Sequence, residues 1–292
     1  MRDPGHPLLN RTFQSEYPPG SIFKLVVASA ALQEGIITRS DRLACPAGLR
    51  VGDRTFRNWK DQDGGRMELE RAIAVSCNTV FYQLGLALGV ERIVRYARSF
   101  GFGEVTGLPL DGEKPGLVLF RGSAGRPWRP GETANLSIGQ GSALVTPLQV
   151  ARFMAAIAND GILWRPRLVH QVEAAGSPLL EVSPEATGQV MVAPSVLAVV
   201  RRALWAAVNQ GGTGAEAAIS GVAIAGKTGT AQLVADSDST RGEDHAWFAG
   251  YAPADEPQVV VVVLVERGGM GGKVAAPVAQ RIFFEVLRGS AA

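Results

Sequence analysis

One stretch constrains this chain more than any other: YPPGSIFKLVVASAALQEG, residues 17–35. A Pro-Pro-Gly turn precedes an apolar run rich in alanine, so we expect a helix from about Ser21 to Gln33 that stops at Gly35. Ser21 and Lys24 are three residues apart and therefore lie on one face of that helix. Any fold of this chain must place a serine hydroxyl beside a lysine amine at the start of a helix.

This pairing has a chemical use. A serine hydroxyl becomes a good nucleophile when a neighbouring neutral lysine amine removes its proton. The free N–H groups and partial positive charge of a helix N-terminus favour negative charge developing beside Ser21. The motif alone is weak, because Ser-x-x-Lys is common and a helix cap with a solvated lysine is the ordinary alternative.

Two further motifs strengthen the interpretation. SCN occupies residues 76–78, and KTGT occupies residues 227–230. Ser-x-x-Lys, Ser-x-Asn and Lys-Thr-Gly, in that order, form the motif set of penicillin-binding proteins and serine β-lactamases. All three in order are far less probable by chance than any one of them.

The composition is that of a globular protein with an ample core, since 46% of its 292 residues are hydrophobic. A net charge of +2 gives no sign of the strongly basic surface that is typical of nucleic-acid-binding proteins. The three histidines are not spaced as metal ligands. Two cysteines are too few for a disulfide framework. We therefore expect Cys77 to be a reduced, packed thiol, and Cys45 gives no further signal.

The first two thirds of the chain read as mainly helical. Residues 1–20 resemble an extended arm, and residues 36–65 are turn-rich with a small surface hairpin. Helical patterns follow at residues 68–88, interrupted near Ser76, and at residues 90–100, 147–159 and 194–209. Thr146 is the expected N-cap of the helix that begins at Pro147.

The last third reads as β-structure closed by a helix. Residues 223–233, 245–252 and 258–266 are predicted strands, the last two being antiparallel neighbours. The last strand is apolar on both faces, which favours a central position in the sheet. The closing helix, residues 275–287, is expected to turn four side chains inward: Val278, Ile282, Phe283 and Val286.

Beyond the three motifs, the chain resembles the transpeptidase domain of class B penicillin-binding proteins. The resemblance is carried by YPPGSIFK, SCNTVFYQLG, GETANLSIGQG with VTPLQ, HAWFAGYAP and GGMGG, and it extends from about Leu9 onward. It implies an α/β (α+β) fold in which an antiparallel sheet is flanked by helices and joined to a mostly helical subdomain. One domain would span residues 1–292, with the helical part at about 36–220 and the sheet strands at about 221–292.

The start of the chain departs from that family. The serine helix is normally preceded by a helix and two sheet strands, and before them by a pedestal domain and a membrane anchor. Only a short arm precedes Ser21 here. The expectation is a fragment whose sheet has three strands and one exposed edge.

By resemblance, three side chains carry the chemistry. Ser21 is the nucleophile that forms the acyl-enzyme, and Lys24 is the base that takes its proton. Ser76 would bridge Lys24 and Lys227 and relay the proton to the leaving amine. The positive charge of Lys227 would help to keep Lys24 neutral.

The remaining motif residues would bind substrate. Asn78 would hold the substrate backbone and orient Lys24. Lys227, Thr228 and Thr230 would bind the terminal carboxylate, and Gly229 would let the substrate lie close to the strand. The oxyanion hole would be the backbone N–H groups of Ser21 and Thr230.

The resemblance also implies the ligands, the protein partner and the cellular location. The substrate would be a peptidoglycan stem peptide ending in D-Ala-D-Ala, and β-lactams would acylate the same serine. A glycosyltransferase of the elongation or division machinery would be the protein partner, at the extracytoplasmic face of the cytoplasmic membrane. No cofactor, metal or nucleic acid is expected.

Two rival functions remain open from the sequence. The first is a serine β-lactamase, since ETAN at residues 132–135 superficially resembles the Glu-containing loop of class A enzymes. The setting GETANLSIGQG fits the penicillin-binding pattern better. The second is a non-catalytic β-lactam sensor or an inactive fragment that only binds.

Overall fold

The computed structural model describes residues 6–118, 127–174, 177–232 and 244–289. Its helices are α1 (Lys24–Gln33), α2 (Leu69–Ala74), α3 (Asn78–Leu88), α4 (Val90–Ser99), α5 (Pro130–Ser137), α6 (Pro147–Ala158), α7 (Pro194–Asn209) and α8 (Gly271–Gly289). Its strands are β1 (Leu43–Ala44), β2 (Gly48–Val51), β3 (Arg54–Arg57), β4 (Arg66–Met67), β5 (Leu117–Val118), β6 (Ala143–Leu144), β7 (Ile162–Trp164), β8 (Gln171–Ala174), β9 (Ser177–Glu181), β10 (Ala186–Gln189), β11 (Ala225–Ala231), β12 (His245–Ala252) and β13 (Val259–Val265). The α/β prediction is confirmed.

The main sheet of the described residues has three antiparallel strands in the order β11-β12-β13, as expected. Every residue of β12 is buried, including Trp247 and Phe248. The predicted central position of β13 is wrong for this sheet, because β12 is the middle strand. The apolar residues on both faces of β13 instead reflect helices on both sides, with α6 against one face and α8 against the other.

Helix α8 presents a different face to the sheet from the one predicted. Ala275, Ala279 and Phe283 are fully buried, whereas Val278, Ile282 and Val286 are 39–42% exposed. The two sets are offset by one residue, which is about 100° around a helix. Only the prediction for Phe283 is correct, because a helix with two apolar stripes does not reveal which of them meets the described strands.

The serine helix α1 lies in the middle of the helical part. It packs against α3, α4 and α7, and its residues from Lys24 to Ala31 are all buried. A helix that is apolar around its whole circumference belongs in a protein interior. This position fixes the start of α1 between the helical part and the sheet.

Local sequence signals account for several boundaries. Thr146 caps α6 as predicted: its Oγ1 accepts from Gln149 N at 3.1 Å, and Gln149 Oε1 accepts from Thr146 N at 2.9 Å. The predicted hairpin is β2–β3, and α7 has its predicted bounds. No helix in the described ranges combines the length and the hydropathy that crossing a bilayer requires.

The two cysteines form a disulfide, so the prediction of reduced thiols is wrong. The Cα atoms of Cys45 and Cys77 are 6.3 Å apart, and both side chains are buried. The loop after β1 lies against the start of α3, where Thr79 Oγ1 donates to Pro46 O at 2.8 Å. The count of cysteines argued against a framework of bridges, but it could not exclude one bridge made by tertiary contact.

Candidate active site

Ser21 lies in a 3-10 turn, Gly20–Ile22, immediately before α1. It is partly exposed, whereas Ile22 and Phe23 are fully buried. Gly20 has a φ of +53°, and a Cβ there would lie 2.8 Å from the carbonyl oxygen of Thr230. Glycine is therefore needed at residue 20 for the chain to pass against β11, and this contact brings Ser21 beside the KTGT strand.

The segment SIGQG, residues 137–141, supports this contact. Gly20 N donates to Gly139 O at 3.0 Å, and Gln140 Nε2 donates to Thr230 O at 3.4 Å. The segment thus contacts both the serine turn and β11. It fixes the distance between the first and third motifs.

Lys24, the first residue of α1, joins the first motif to the second. Its side chain is fully buried, and its Nζ lies 2.8 Å from Ser76 O, 3.0 Å from Ser76 Oγ and 2.6 Å from Asn78 Oδ1. In the neutral form its two N–H groups can donate to the Ser76 carbonyl and the Asn78 amide oxygen, and the Ser76 hydroxyl can donate to the nitrogen. Every one of these partners is an uncharged group. The amine is therefore oriented without a carboxylate that would favour its protonated form.

Ser76 reaches Lys24 through an unusual backbone conformation. It follows α2 and has a φ of +58°, in the left-handed region that non-glycine residues seldom adopt. This conformation separates α2 from α3 at the predicted interruption and turns both the carbonyl and the hydroxyl of Ser76 toward Lys24. Strain of this kind is concentrated at functional sites.

Lys227 is also fully buried, on β11, and its Nζ donates to the carbonyl oxygen of Thr228 at 2.9 Å. Within the described residues the Ser76 hydroxyl hydrogen-bonds to Lys24 and not to Lys227. The predicted bridge between the two lysines is thus formed on the Lys24 side alone. Lys227 acts on Lys24 through its charge.

Burial controls the protonation of both amines. Desolvation, followed by repulsion from Lys227, lowers the pKa of Lys24 well below its ordinary value. Desolvation alone lowers the pKa of Lys227 to about 7. A lysine with a strongly lowered pKa is a competent general base near neutral pH, which is the property that Ser21 activation requires.

The two threonines of KTGT have different surroundings. Thr228 Oγ1 lies 2.6 Å from Thr213 Oγ1, and Thr230 Oγ1 accepts from Gly271 N at 3.3 Å. Thr230 is partly exposed, in contrast to its neighbours on β11. Both hydroxyls are thus held in place on the strand that carries Lys227.

Gly229 has close neighbours on β12 and in the chain before Ser21. A Cβ at this residue would lie 3.0 Å from Trp247 Cβ and 3.1 Å from Pro19 O. The missing side chain therefore makes room for the core and for the chain before Ser21. Gly229 lets the serine turn pack against β11, and its role in letting the substrate lie close to the strand stays a prediction.

Glu132, the residue behind the β-lactamase alternative, has a structural role here. Its Oε2 accepts from Arg129 N at 2.9 Å, which caps the start of α5. A capping box is an ordinary structural use of a glutamate at the start of a helix, so ETAN needs no hydrolytic role to explain it. This contact removes the observation that favoured β-lactamase activity.

Sequence reasoning missed three residues that make polar contacts around the motifs. Thr213 N donates to Ala74 O at 3.0 Å, so Thr213 connects the end of α2 to Thr228. Asn58 and Trp59, after β3, bond to residues on either side of Ser76. These residues lie in loops, where no periodicity marks them.

Two curated relatives are similar to this chain over nearly all of its length. Peptidoglycan D,D-transpeptidase MrdA of Haemophilus influenzae is 35% identical over 97% of this chain and 46% of the relative. Peptidoglycan D,D-transpeptidase PbpA of Mycolicibacterium smegmatis is 36% identical over 98% of this chain and 58% of the relative. The chain therefore spans about half the length of the curated relatives it matches.

Solved structures of penicillin-binding proteins are also similar to this chain over nearly all of its length. PBP2 of Pseudomonas aeruginosa in complex with WCK 5153 matches with a TM-score of 0.85 and 37% identity, over 96% of this chain and 63% of that one. The ceftriaxone acyl-enzyme complex of penicillin-binding protein A from M. tuberculosis matches with a TM-score of 0.85 and 31% identity, over 96% and 63%. PBP2 of Helicobacter pylori in complex with MreC matches with a TM-score of 0.83 and 30% identity, over 97% and 52%.

One family model matches a range of this chain that contains all three motifs. Residues 2–283 match the penicillin binding protein transpeptidase domain. This range contains the serine turn, the SCN loop and the KTGT strand, which the structure brings together. The chain belongs to the penicillin-binding protein transpeptidase family.

Proposed function

We propose that this chain is one serine-type D-Ala-D-Ala transpeptidase domain that cross-links peptidoglycan stem peptides and is acylated by β-lactams. The observation that carries the proposal is the buried amine of Lys24, hydrogen-bonded to Ser76 and Asn78 and three residues from Ser21. A neutral amine in this position is a base for the serine hydroxyl. The names of the curated relatives and the acyl-enzyme structure support the same chemistry.

The proposed acylation step uses Lys24 as the base and Ser21 as the nucleophile. Lys24 takes the proton of the Ser21 hydroxyl as its oxygen attacks the carbonyl between the two D-alanines. The backbone N–H groups of Ser21 and Thr230 receive the developing negative charge, and loss of one such donor costs about 3–4 kcal/mol of barrier. The proton then passes through the Ser76 hydroxyl to the departing D-alanine amine.

Substrate binding uses the strand β11. Thr228 and Thr230 offer hydroxyls to the terminal carboxylate, and Lys227 supplies positive charge beneath them. The Asn78 amide has its oxygen on Lys24, which leaves its NH2 group for the substrate backbone. An amine of a second stem peptide then attacks the acyl-enzyme and completes the cross-link.

We place the full-length protein at the extracytoplasmic face of the cytoplasmic membrane. Stem peptides are cross-linked there, and the membrane-anchored class B proteins are its relatives. A glycosyltransferase of the elongation or division machinery is the proposed partner, and the complex of a structural relative with MreC supports the elongation branch.

The deciding experiment measures how fast the acyl-enzyme breaks down. A chromogenic β-lactam is mixed with the protein, and ring opening is followed beyond the first equivalent. We expect a burst of about one equivalent followed by slow release, together with D-alanine release from a D-Ala-D-Ala peptide. Rapid continuous hydrolysis would identify a β-lactamase, and a burst without any D-alanine release would identify a sensor or an inactive fragment.

A further inference from the structure

The loop that carries Ser76 is held from outside by the residues that follow strand β3. Residues 75–77 form the turn between α2 and α3, with Trp59 bonded to its first residue, Val75, and Asn58 bonded to Asn78, the residue that follows it. Neither residue belongs to the three motifs. Their contacts nevertheless determine where the second motif lies.

Asn58 satisfies the first backbone donor of α3. Its Oδ1 accepts from Asn78 N at 2.9 Å, and its own backbone N donates to Ala47 O at 2.7 Å. Cys77, the N-cap residue of α3, makes no side-chain capping bond. An acceptor from another part of the chain thus replaces the missing cap.

Trp59 holds the opposite end of the same turn. Its indole Nε1 donates to Val75 O at 3.1 Å. The Cys45–Cys77 disulfide attaches the residue between Ser76 and Asn78 to the same neighbouring region. The turn is therefore fixed at Val75, at Cys77 and at Asn78 directly after it.

Fixing the turn matters because Ser76 has a left-handed backbone. A non-glycine residue keeps such a conformation only when its surroundings impose it. Asn78 N is bonded to Asn58, while Asn78 Oδ1 accepts from Lys24 Nζ at 2.6 Å. One residue thus connects the β3 end directly to the catalytic amine.

We propose that Asn58 is a positioning residue for the acylation of Ser21, acting through Asn78 on Lys24. This inference rests on the proposed acyl-transfer function. Asn58 touches none of the reacting groups. It fixes the backbone from which the Asn78 side chain reaches the amine.

The test compares how fast the parent and its variants, each as the whole chain, are labelled by an excess of a fluorescent penicillin. The observed rate constant reports acylation of folded molecules, and the amplitude reports how many molecules are folded. Asn58→Ala removes the acceptor, whereas Asn58→Asp keeps an oxygen that can accept from Asn78 N. The rates are compared on the high-pH plateau of each variant, where Lys24 is neutral and the added carboxylate does not change the fraction of reactive amine. Asn159→Ala is the matched control, because within the described ranges the Asn159 side chain hydrogen-bonds only to Ile162, through Oδ1 at 2.9 Å and Nδ2 at 3.0 Å.

We expect Asn58→Ala to lower the rate constant at least tenfold, and Asn58→Asp to stay within threefold of the parent. Asn159→Ala should lower the amplitude at most and leave the rate constant within twofold. If Asn58→Ala gives no folded protein, Asn58→Leu, of similar size and without an acceptor, takes its place with the same expectation.

A rate constant for Asn58→Ala or Asn58→Leu within twofold of the parent would overturn the inference, as would an Asn58→Asp rate as low as that of Asn58→Ala. Ser21→Ala separates this result from the proposed function. Loss of labelling in Ser21→Ala with a normal Asn58→Ala rate rejects the positioning role alone. Equal labelling of the parent and Ser21→Ala rejects the acyl-transfer function itself.

Discussion

The Nζ of Lys24 lies 2.8 Å from the carbonyl oxygen and 3.0 Å from the hydroxyl oxygen of Ser76. Two motifs that are 52 residues apart in sequence are thereby joined by hydrogen bonds to one buried amine. The left-handed backbone conformation of Ser76 makes both contacts possible. The proposed chemistry of Ser21 depends on this amine being both oriented and neutral.

Replacing Lys24 tests the base directly. Lys24→Ala removes it, and Lys24→Arg keeps a charge but cannot take a proton near neutral pH. We expect both variants to be acylated by penicillin about 10²–10⁴-fold more slowly, the range that general bases contribute. Stopped-flow or gel-based labelling measures the rate, and circular dichroism checks the fold. A folded Lys24→Arg variant with parental speed would show that Lys24 is not the base.

The pH dependence of acylation tests the influence of Lys227. Only neutral Lys24 can accept the proton, so the rate should rise with pH through the pKa of Lys24. The charge of Lys227 lowers that pKa, in addition to the larger effect of burial. Lys227→Met removes the charge and should raise the pKa of Lys24. The acid limb of the rate profile should therefore move to higher pH.

The measurement is the acylation rate constant between pH 5 and pH 9 for the parent and Lys227→Met. Arg281→Met, on an exposed position of α8, is the matched control and should leave the limb unchanged. A limb that stays in place, or that moves to lower pH, in Lys227→Met would contradict the electrostatic account.

Thr213 should influence carboxylate recognition through Thr228. Thr213→Val keeps the shape but removes the hydroxyl 2.6 Å from Thr228 Oγ1. A lost hydrogen bond costs about 1 kcal/mol, so we expect acylation efficiency at low penicillin concentration to fall about fivefold. Thr213→Ser should recover most of the loss. Parental efficiency in Thr213→Val would mean that Thr228 needs no such partner.

The disulfide should contribute mainly to stability. It closes a loop of 32 residues, for which chain entropy predicts a stabilisation of about 3–4 kcal/mol. The double variant Cys45→Ser/Cys77→Ser should lose about that much free energy of unfolding, measured by denaturant titration. The parent in reducing agent serves as a second test. Free thiols in the folded, unreduced parent would show that the two cysteines are not paired.

Sequence patterns predicted the parts of the fold that local rules determine. Thr146 and Pro147 define the start of α6, and the turn after Ala252 makes β12 and β13 antiparallel neighbours. The three motifs were found because their residue types and order are distinctive. What they do chemically could be proposed before their distances were known.

Tertiary contacts determined what the patterns could not show. The pairing of Cys45 with Cys77 depends on a loop lying against α3, which no spacing reveals. The exposed face of α8 depends on which strands lie beneath it. Asn58 is a single polar residue after a short strand, so its bond to Asn78 left no trace in the sequence.

The most direct test of the central claim locates the acyl group. The protein is labelled with penicillin, digested with trypsin, and the peptide TFQSEYPPGSIFK, residues 12–24, is analysed by mass spectrometry with fragmentation. The account predicts one adduct, on Ser21 and not on Ser15, and no adduct on this peptide in Ser21→Ala. An adduct on another residue, or none in the folded parent, would contradict it.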